Sequence, residues 1–192
     1  MTTSQAATLE DYATAIAVQV GGTAHVAFEA IKVKVPSERW VEAITAAKDA
    51  GLIFFSWLSA IDWANEVAVG DPLSEPVEER FEVLCTLADL SEGRRVTFST
   101  DLDKANPRLP TLVRVFRGAD WHEREAREMF GIEFVGHPHP AHLYLPDGFE
   151  GYPLRKSFRL LAREVKPWPG MVDVEGMPGE EPGEASTENP EA

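Results

Sequence analysis

Cysteine is almost missing from this chain: Cys85 is the only one among 192 residues. That excludes a disulfide framework, a thiolate zinc site and a cysteine-held iron–sulfur cluster built within it. Basic residues are also scarce, with 18 Lys and Arg against 32 Asp and Glu and a formal net charge of −14. Such a balance argues against nucleic acid and against an anionic lipid surface as partners. Long hydrophobic runs are lacking too. The stretch Leu52 to Ile61 is broken by Ser56 and Ser59, and it is half of the roughly 20 residues that a spanning helix needs. The first residues show no basic segment followed by an apolar one, so no secretion signal is read there. The expectation is a cytoplasmic chain, soluble by itself, with no membrane span of its own. No nucleophile elbow, phosphate-cradling loop or dinucleotide fingerprint is present, and Gly21-Gly22 lacks the later glycines.

What is there reads as one α+β domain over residues 1–166, with an appendage. Leu9, Tyr12, Ala13, Ile16 and Val20 recur at helical spacing, with Thr8 and Asp11 placed as a capping box and Gly21-Gly22 as the stop. His25 to Phe28 and Ile31 to Val35 read as two strands. Ser37 is a candidate N-cap for a second helix with Trp40, Val41, Ile44 and Ala47 inward, ending at Gly51. Leu52 to Trp63, rich in aromatic and β-branched residues, reads as a buried strand. Arg80 to Leu87 puts Phe81, Val83, Cys85 and Leu87 on one face, which makes Cys85 a small core residue. Arg94 to Thr100 gives a further strand, and Pro107 and Pro110 lead into Leu112 to Phe116. The expected architecture is two-layered, with helices packed on one mixed sheet. From Pro167 to Ala192 the composition turns to Pro, Gly and Glu, with seven carboxylates and no cation after Lys166. That tail is expected to be disordered or extended, because it has too little apolar surface to offset its ordering entropy.

The densest chemistry lies between Asp120 and Lys156. On a helix wheel Trp121, Ala126, Met129 and Phe130 spread over one half of a helix, and His122 and Glu125 fall within it. Glu123, Arg124 and Arg127 lie on the other side, with Glu128 at the border. The pairs Glu123/Arg127 and Arg124/Glu128 have the spacing for surface ion pairs. Glu125, on the apolar half, needs a cation, and Arg155 is the candidate because its planar fork grips a carboxylate through two hydrogen bonds. Enzyme readings fare poorly. His122-Glu123 opens like His-Glu-x-x-His, but the fifth position is Ala126. His137, His139 and His142 are separated by prolines and lack a carboxylate at ligand spacing, so a turn in which His137 caps backbone groups is favoured over a metal site. Glu125 and Glu128 sit beside Arg124 and Arg127, which suits ion pairing better than proton transfer. A stand-alone enzyme using Glu125 and His122 is the reading least supported.

The segments Glu123–Ile132, Phe134–Pro138 and Gly151–Lys156, in that order, resemble the 30-kDa (C-type) subunit family of respiratory complex I, the proton-pumping NADH:quinone oxidoreductase. The likeness covers the body of the chain. It implies a non-catalytic structural subunit of the peripheral arm, on the cytoplasmic face of the cell membrane. The partner implied is the quinone-site (D-type) subunit, with the B- and I-type subunits nearby. It also implies no cofactor in this chain; iron–sulfur clusters, FMN and quinone belong to partner subunits. The motif residues carried over as an interface are Trp121, Glu123, Arg124, Glu125, Glu128, Gly131, Gly136, His137, Pro138, Gly151, Pro153, Arg155 and Lys156. The family usually has Asp where Glu128 stands, paired arginines within the region of Ala141–Pro146, and Asp in place of Ser157. Related membrane-bound hydrogenases and ferredoxin- or F420-linked oxidoreductases carry similar subunits, and these form the alternative reading.

Overall fold

A computed structural model describes residues 8–68 and 71–159; the expected tail, 167–192, lies outside the described residues. Helix α1 (Leu9–Val20) begins as its sequence asks. The Thr8 hydroxyl accepts from the Asp11 N–H at 3.2 Å, and the Asp11 carboxylate accepts from the Thr8 N–H at 3.0 Å. Ala13, Ile16, Ala17 and Val20 form its buried face, and Gly21 at φ +68° ends it. Strands β1 (Thr23–Ala27) and β2 (Ala30–Lys34) form an antiparallel hairpin. Its turn residues Phe28 and Glu29 take positive φ values of 50° and 61° without a glycine, a conformation that side-chain-bearing residues adopt at some cost. Ser37 does not cap α2 (Trp40–Asp49). It opens a 3₁₀ turn, and the helix starts behind Arg39 with no side-chain cap.

Strands β3 (Phe54–Asp62), β4 (Phe81–Ala88) and β5 (Arg95–Leu102) complete a five-stranded sheet in the order β1-β2-β5-β4-β3. Only β2 and β5 run parallel, so the sheet is mixed as expected. One row across it, Leu58, Cys85, Phe98 and Val33, is fully buried and faces the helices. Burying each large apolar side chain of this kind is worth roughly 1.5–3 kcal/mol. Burial also pushes the Cys85 thiol far above its usual range, and the nearby Glu123 carboxylate adds to that shift. Cys85 is thus a core residue, as read from the alternation.

The reading of Leu52–Trp63 as a buried strand is corrected. β3 is an edge strand, and Ile53, Phe54, Trp57 and Ile61 stay 60%, 47%, 40% and 36% exposed. Apolar composition tells that a strand has something to cover, but not whether this chain covers it. The region after Pro110 is also irregular. Val115 and Phe116 both donate to the Leu112 carbonyl at 2.8 Å, making tight turns that lead into α3 (Ala119–Phe130). Two short strands that sequence periodicity did not reveal, β6 (Arg108–Pro110) and β7 (Glu133–Val135), pair in parallel on either side of that helix. This crossover fixes both ends of α3 and places it against β3.

Candidate functional site: a helix that grips its own loop

The buried arc of α3 runs through Ala119, Glu123, Ala126 and Phe130, a spacing of four, three and four residues. It differs from the arc expected on the wheel, because Trp121 points outward at 60% exposure. Glu123 is therefore inside, fully buried. It is tolerated there because the Thr111 hydroxyl donates to it at 2.5 Å and the Leu112 N–H at 2.6 Å. Burial pushes its carboxyl up to about 7, the Asp120 charge works the same way, and the bonds from Thr111 and Leu112 oppose the rise. His137 lies over the same spot with its side chain 2% exposed. Its Nδ1 accepts from the His139 N–H at 3.1 Å, so Nε2 carries the hydrogen and faces the Asp120 carbonyl at 3.2 Å. The expected role of His137, capping backbone, is what the geometry displays.

Three further charged side chains of α3, Arg124, Arg127 and Glu128, turn to the loop that follows β7. Arg124 donates through Nε to the Ala141 carbonyl at 2.9 Å and through Nη2 to the His142 carbonyl at 2.7 Å. Arg127 donates to the Pro140 carbonyl at 2.8 Å. Glu128 accepts from the N–H groups of Leu143 and Tyr144 at 2.8 Å each and from Leu145 at 3.4 Å. His142 Nδ1 stands 3.3 Å from the same carboxylate. Burial works against the charged form of Glu128, but these loop donors outweigh it and hold its carboxyl below the usual range. Two guanidinium groups thus take consecutive loop carbonyls, and one carboxylate takes the consecutive amides after them. The (i, i+4) pairs Glu123/Arg127 and Arg124/Glu128 are not formed; each of these charges has a stronger claim in the loop or the core.

The C-terminal part of the motif is tied down equally. Gly131 ends α3 at φ +75°, where an added Cβ would lie 2.7 Å from the Tyr152 ring. Leu154 N–H reaches the Met129 carbonyl at 3.1 Å, and Arg155 Nε reaches the Phe130 carbonyl at 2.6 Å. The Arg155 guanidinium lies 4.2 Å from the Tyr152 ring centre and 5.2 Å from that of Phe81. Arg155 therefore caps the end of α3 and does not meet Glu125. Glu125 is half-buried, and no hydrogen bond or ion pair joins it to Arg155. The expected pair fails because Glu125 is off the packing arc, so no buried charge compels a partner. Lys156 donates its N–H to the buried Asp62 at 2.9 Å, and Asp62 also accepts from Lys104 at 2.8 Å. Gly136 and Gly151 take φ values of +82° and +96° at the loop's two bends, while Pro138 is exposed and Pro153 half-buried.

Sequence reasoning missed Thr111 and Asp62. Thr111 offered no pattern; Asp62, the only charge at the end of an apolar strand, carried a usable signal. Of the departures from the family pattern, the one at Ala141–Pro146 has a physical account. The grip falls mainly on backbone atoms of residues 140–145, so the side chains there are free to vary.

A family model described as "Respiratory-chain NADH dehydrogenase, 30 Kd subunit" matches residues 33–164. A C-type subunit (C 2) of the NADH-quinone oxidoreductase of Rhizobium meliloti (strain 1021) is 36% identical over 157 residues, covering 82% of this chain and 80% of that one. The C-type subunit of the NADH-quinone oxidoreductase of Roseiflexus sp. (strain RS-1) is 42% identical over 88 residues, 46% of this chain and 51% of that one. Among solved structures, the trypsin-resistant fragment of Nqo5 aligns with a TM-score of 0.55 and 26% identity, over 69% of this chain and 99% of the fragment. A chain of the membrane-bound sulfane sulfur reductase, an archaeal respiratory membrane complex, aligns with a TM-score of 0.65 over 80% of this chain and 86% of that one. Its identity is 22%, so that likeness concerns the fold.

Proposed function

The chain belongs to the 30-kDa subunit family of respiratory-chain NADH dehydrogenase, the C-type subunits of complex I, and from that premise we propose that it is a non-catalytic scaffold in the peripheral arm of such a complex. Its work is to present a rigid surface to the quinone-site subunit, with the B- and I-type subunits as neighbours, on the cytoplasmic side of the membrane. The redox groups, FMN, iron–sulfur clusters and quinone, sit on partner subunits of the complex. No helix among the described residues is long and apolar enough to cross a membrane, and attachment then runs through the other subunits.

One observation carries this reading: α3 fixes the loop 136–156 through its backbone. Arg124, Arg127 and Glu128 take up carbonyls and amides of residues 140–145, so the loop is held by its main chain. Tyr144 and Leu154 are 64% and 51% exposed. A loop ordered in advance loses less entropy when a partner docks, so the same contacts give tighter association. Glu128 fits acid–base catalysis badly, because the Leu143 and Tyr144 amides occupy its carboxylate, and Glu123 is no better placed. Glu123 is sealed from solvent and held by Thr111 and Leu112, beyond reach of a substrate.

Affinity purification of the tagged chain from its own membranes, with mass spectrometry of what accompanies it, tests the proposal. Co-purification of NADH- and flavin-binding subunits together with the quinone-site subunit supports it. A nickel-hydrogenase large subunit instead would assign the chain to a related membrane complex. Recovery of the chain alone, with an activity of its own, would refute the scaffold role.

A further inference from the structure

We propose that the outer edge of β3 is a second docking site, filled in the assembled complex by an extended apolar segment of a partner subunit that joins the sheet as a sixth strand. This inference rests on the reading of the chain as a subunit. Its starting point is that, among the described residues, β3 pairs only with β4, through a register from Phe54↔Ala88 to Asp62↔Phe81. Among the described residues, no other backbone group bonds to the main chain of 54–61. The side of the strand away from β4 therefore holds, among the described residues, a row of unpaired N–H and C=O groups.

Protein edges of this kind normally carry protection: charge, proline, a short strand or a cover. Here the strand is nine residues long, and Phe54 to Ile61 contains neither a charge nor a proline. Asp62, at its end, is buried and occupied by Lys104 and the Lys156 amide. The one irregularity is a bulge between Phe55 and Trp57, beyond which the ladder from Trp57 to Asp62 is regular.

The side chains complete the case. Phe55 faces the helices, its ring 5.6 Å from Phe116 and 5.4 Å from His122. Phe54, Trp57 and Ile61 face the opposite side of the sheet, in register with Ala88, Thr86 and Glu82. They form an apolar stripe flush with the open ladder, 47%, 40% and 36% exposed. The ladder selects an extended backbone as occupant, and the stripe selects apolar side chains on it, the two components of strand-addition recognition. An uncharged surface on a chain of net charge −14 also disfavours a basic helix. The site is continuous with the loop, because Asp62 closes the strand and anchors Lys156, so one partner can span both.

Hydrogen exchange decides it, run on the purified full chain and on the same chain in its purified membrane complex. The outward amides of 54–61 should exchange rapidly in the free chain and slow by roughly ten-fold or more on assembly. A lysine placed on the edge, Trp57→Lys, should lower incorporation several-fold without lowering the melting temperature of the free chain, while Phe28→Lys on the exposed hairpin turn should change neither. Should Trp57→Lys fail to fold, the wild-type exchange data still decide. Equal exchange in free and assembled forms, or amides already protected in the free monomer, would overturn the proposal. Protection that appears only in a self-dimer, seen by sedimentation at the same concentration, would assign the edge to a second copy and overturn it too. A wild-type chain that enters no membrane complex would remove the subunit reading itself, a result distinct from assembly without edge protection.

Discussion

Replacing Glu128 by alanine isolates the contact that shapes the loop. The native carboxylate is buried, with two amide bonds at 2.8 Å, one at 3.4 Å and His142 beside it. Hydrogen bonds to a charged group contribute about 1.5–3 kcal/mol each. Leu143 and Leu145 are half-buried and Tyr144 is exposed, so their freed amides regain water and recover part of the loss. The net cost is about 2–4 kcal/mol, and it falls on the loop, because the bonds that are lost all end there. The expected outcome is read there: exchange of the 143–145 amides quickens by one to three orders of magnitude, roughly as each 1.4 kcal/mol corresponds to ten-fold. The melting temperature should fall with it, by about 2–4 °C for each kcal/mol lost. Glu128→Asp keeps the charge on a shorter arm and should retain part of the protection. Unchanged exchange at 143–145 in Glu128→Ala would refute the idea that this carboxylate holds the loop.

Glu123 carries a pH signature. A carboxyl raised to about 7 keeps a proton in the folded state that the unfolded chain has released, so stability should fall as pH rises from about 4.5 to 7, by at most about 1.4 kcal/mol per unit. In Glu123→Gln that decline should flatten, and the variant should melt above wild type beyond pH 7; parallel curves would contradict the assignment. Gly131→Ala places a side chain at φ +75° against the Tyr152 ring and should cost about 1–3 kcal/mol in denaturant unfolding. Glu125→Ala and Arg155→Ala, which share no hydrogen bond or ion pair, should combine additively within about 0.5 kcal/mol; a larger coupling energy would restore the pair that the structure does not form.

How far the sequence sufficed depends on whether the deciding signal was local. The α1 capping box was legible because Thr8 and Asp11 satisfy each other across one helical turn. Cys85 was legible because alternation along β4 put it in a row with Phe81, Val83 and Leu87. The wheel for α3 misled because Trp121 was weighted as core by its type, whereas the buried arc includes Glu123, made acceptable by Thr111 from outside the helix. The exposure of β3 was illegible for a related reason: strand order is set by long-range pairing, and an apolar strand reads alike at the centre or the edge. That the charges of α3 need partners was legible, but which partners they take was not. Arg124, Arg127 and Glu128 address backbone atoms of the loop, and backbone atoms leave no sequence trace.

That this chain assembles a redox complex without taking part in its chemistry is tested most directly by turnover per assembled complex. Membranes from cells carrying Arg124→Ala together with Glu128→Ala would be compared with wild type for complex content on native gels and for NADH:quinone activity. The scaffold role predicts that activity falls in step with the amount of complex, so that turnover per complex is unchanged. Full assembly with lost turnover would contradict it and give these residues a part in the reaction.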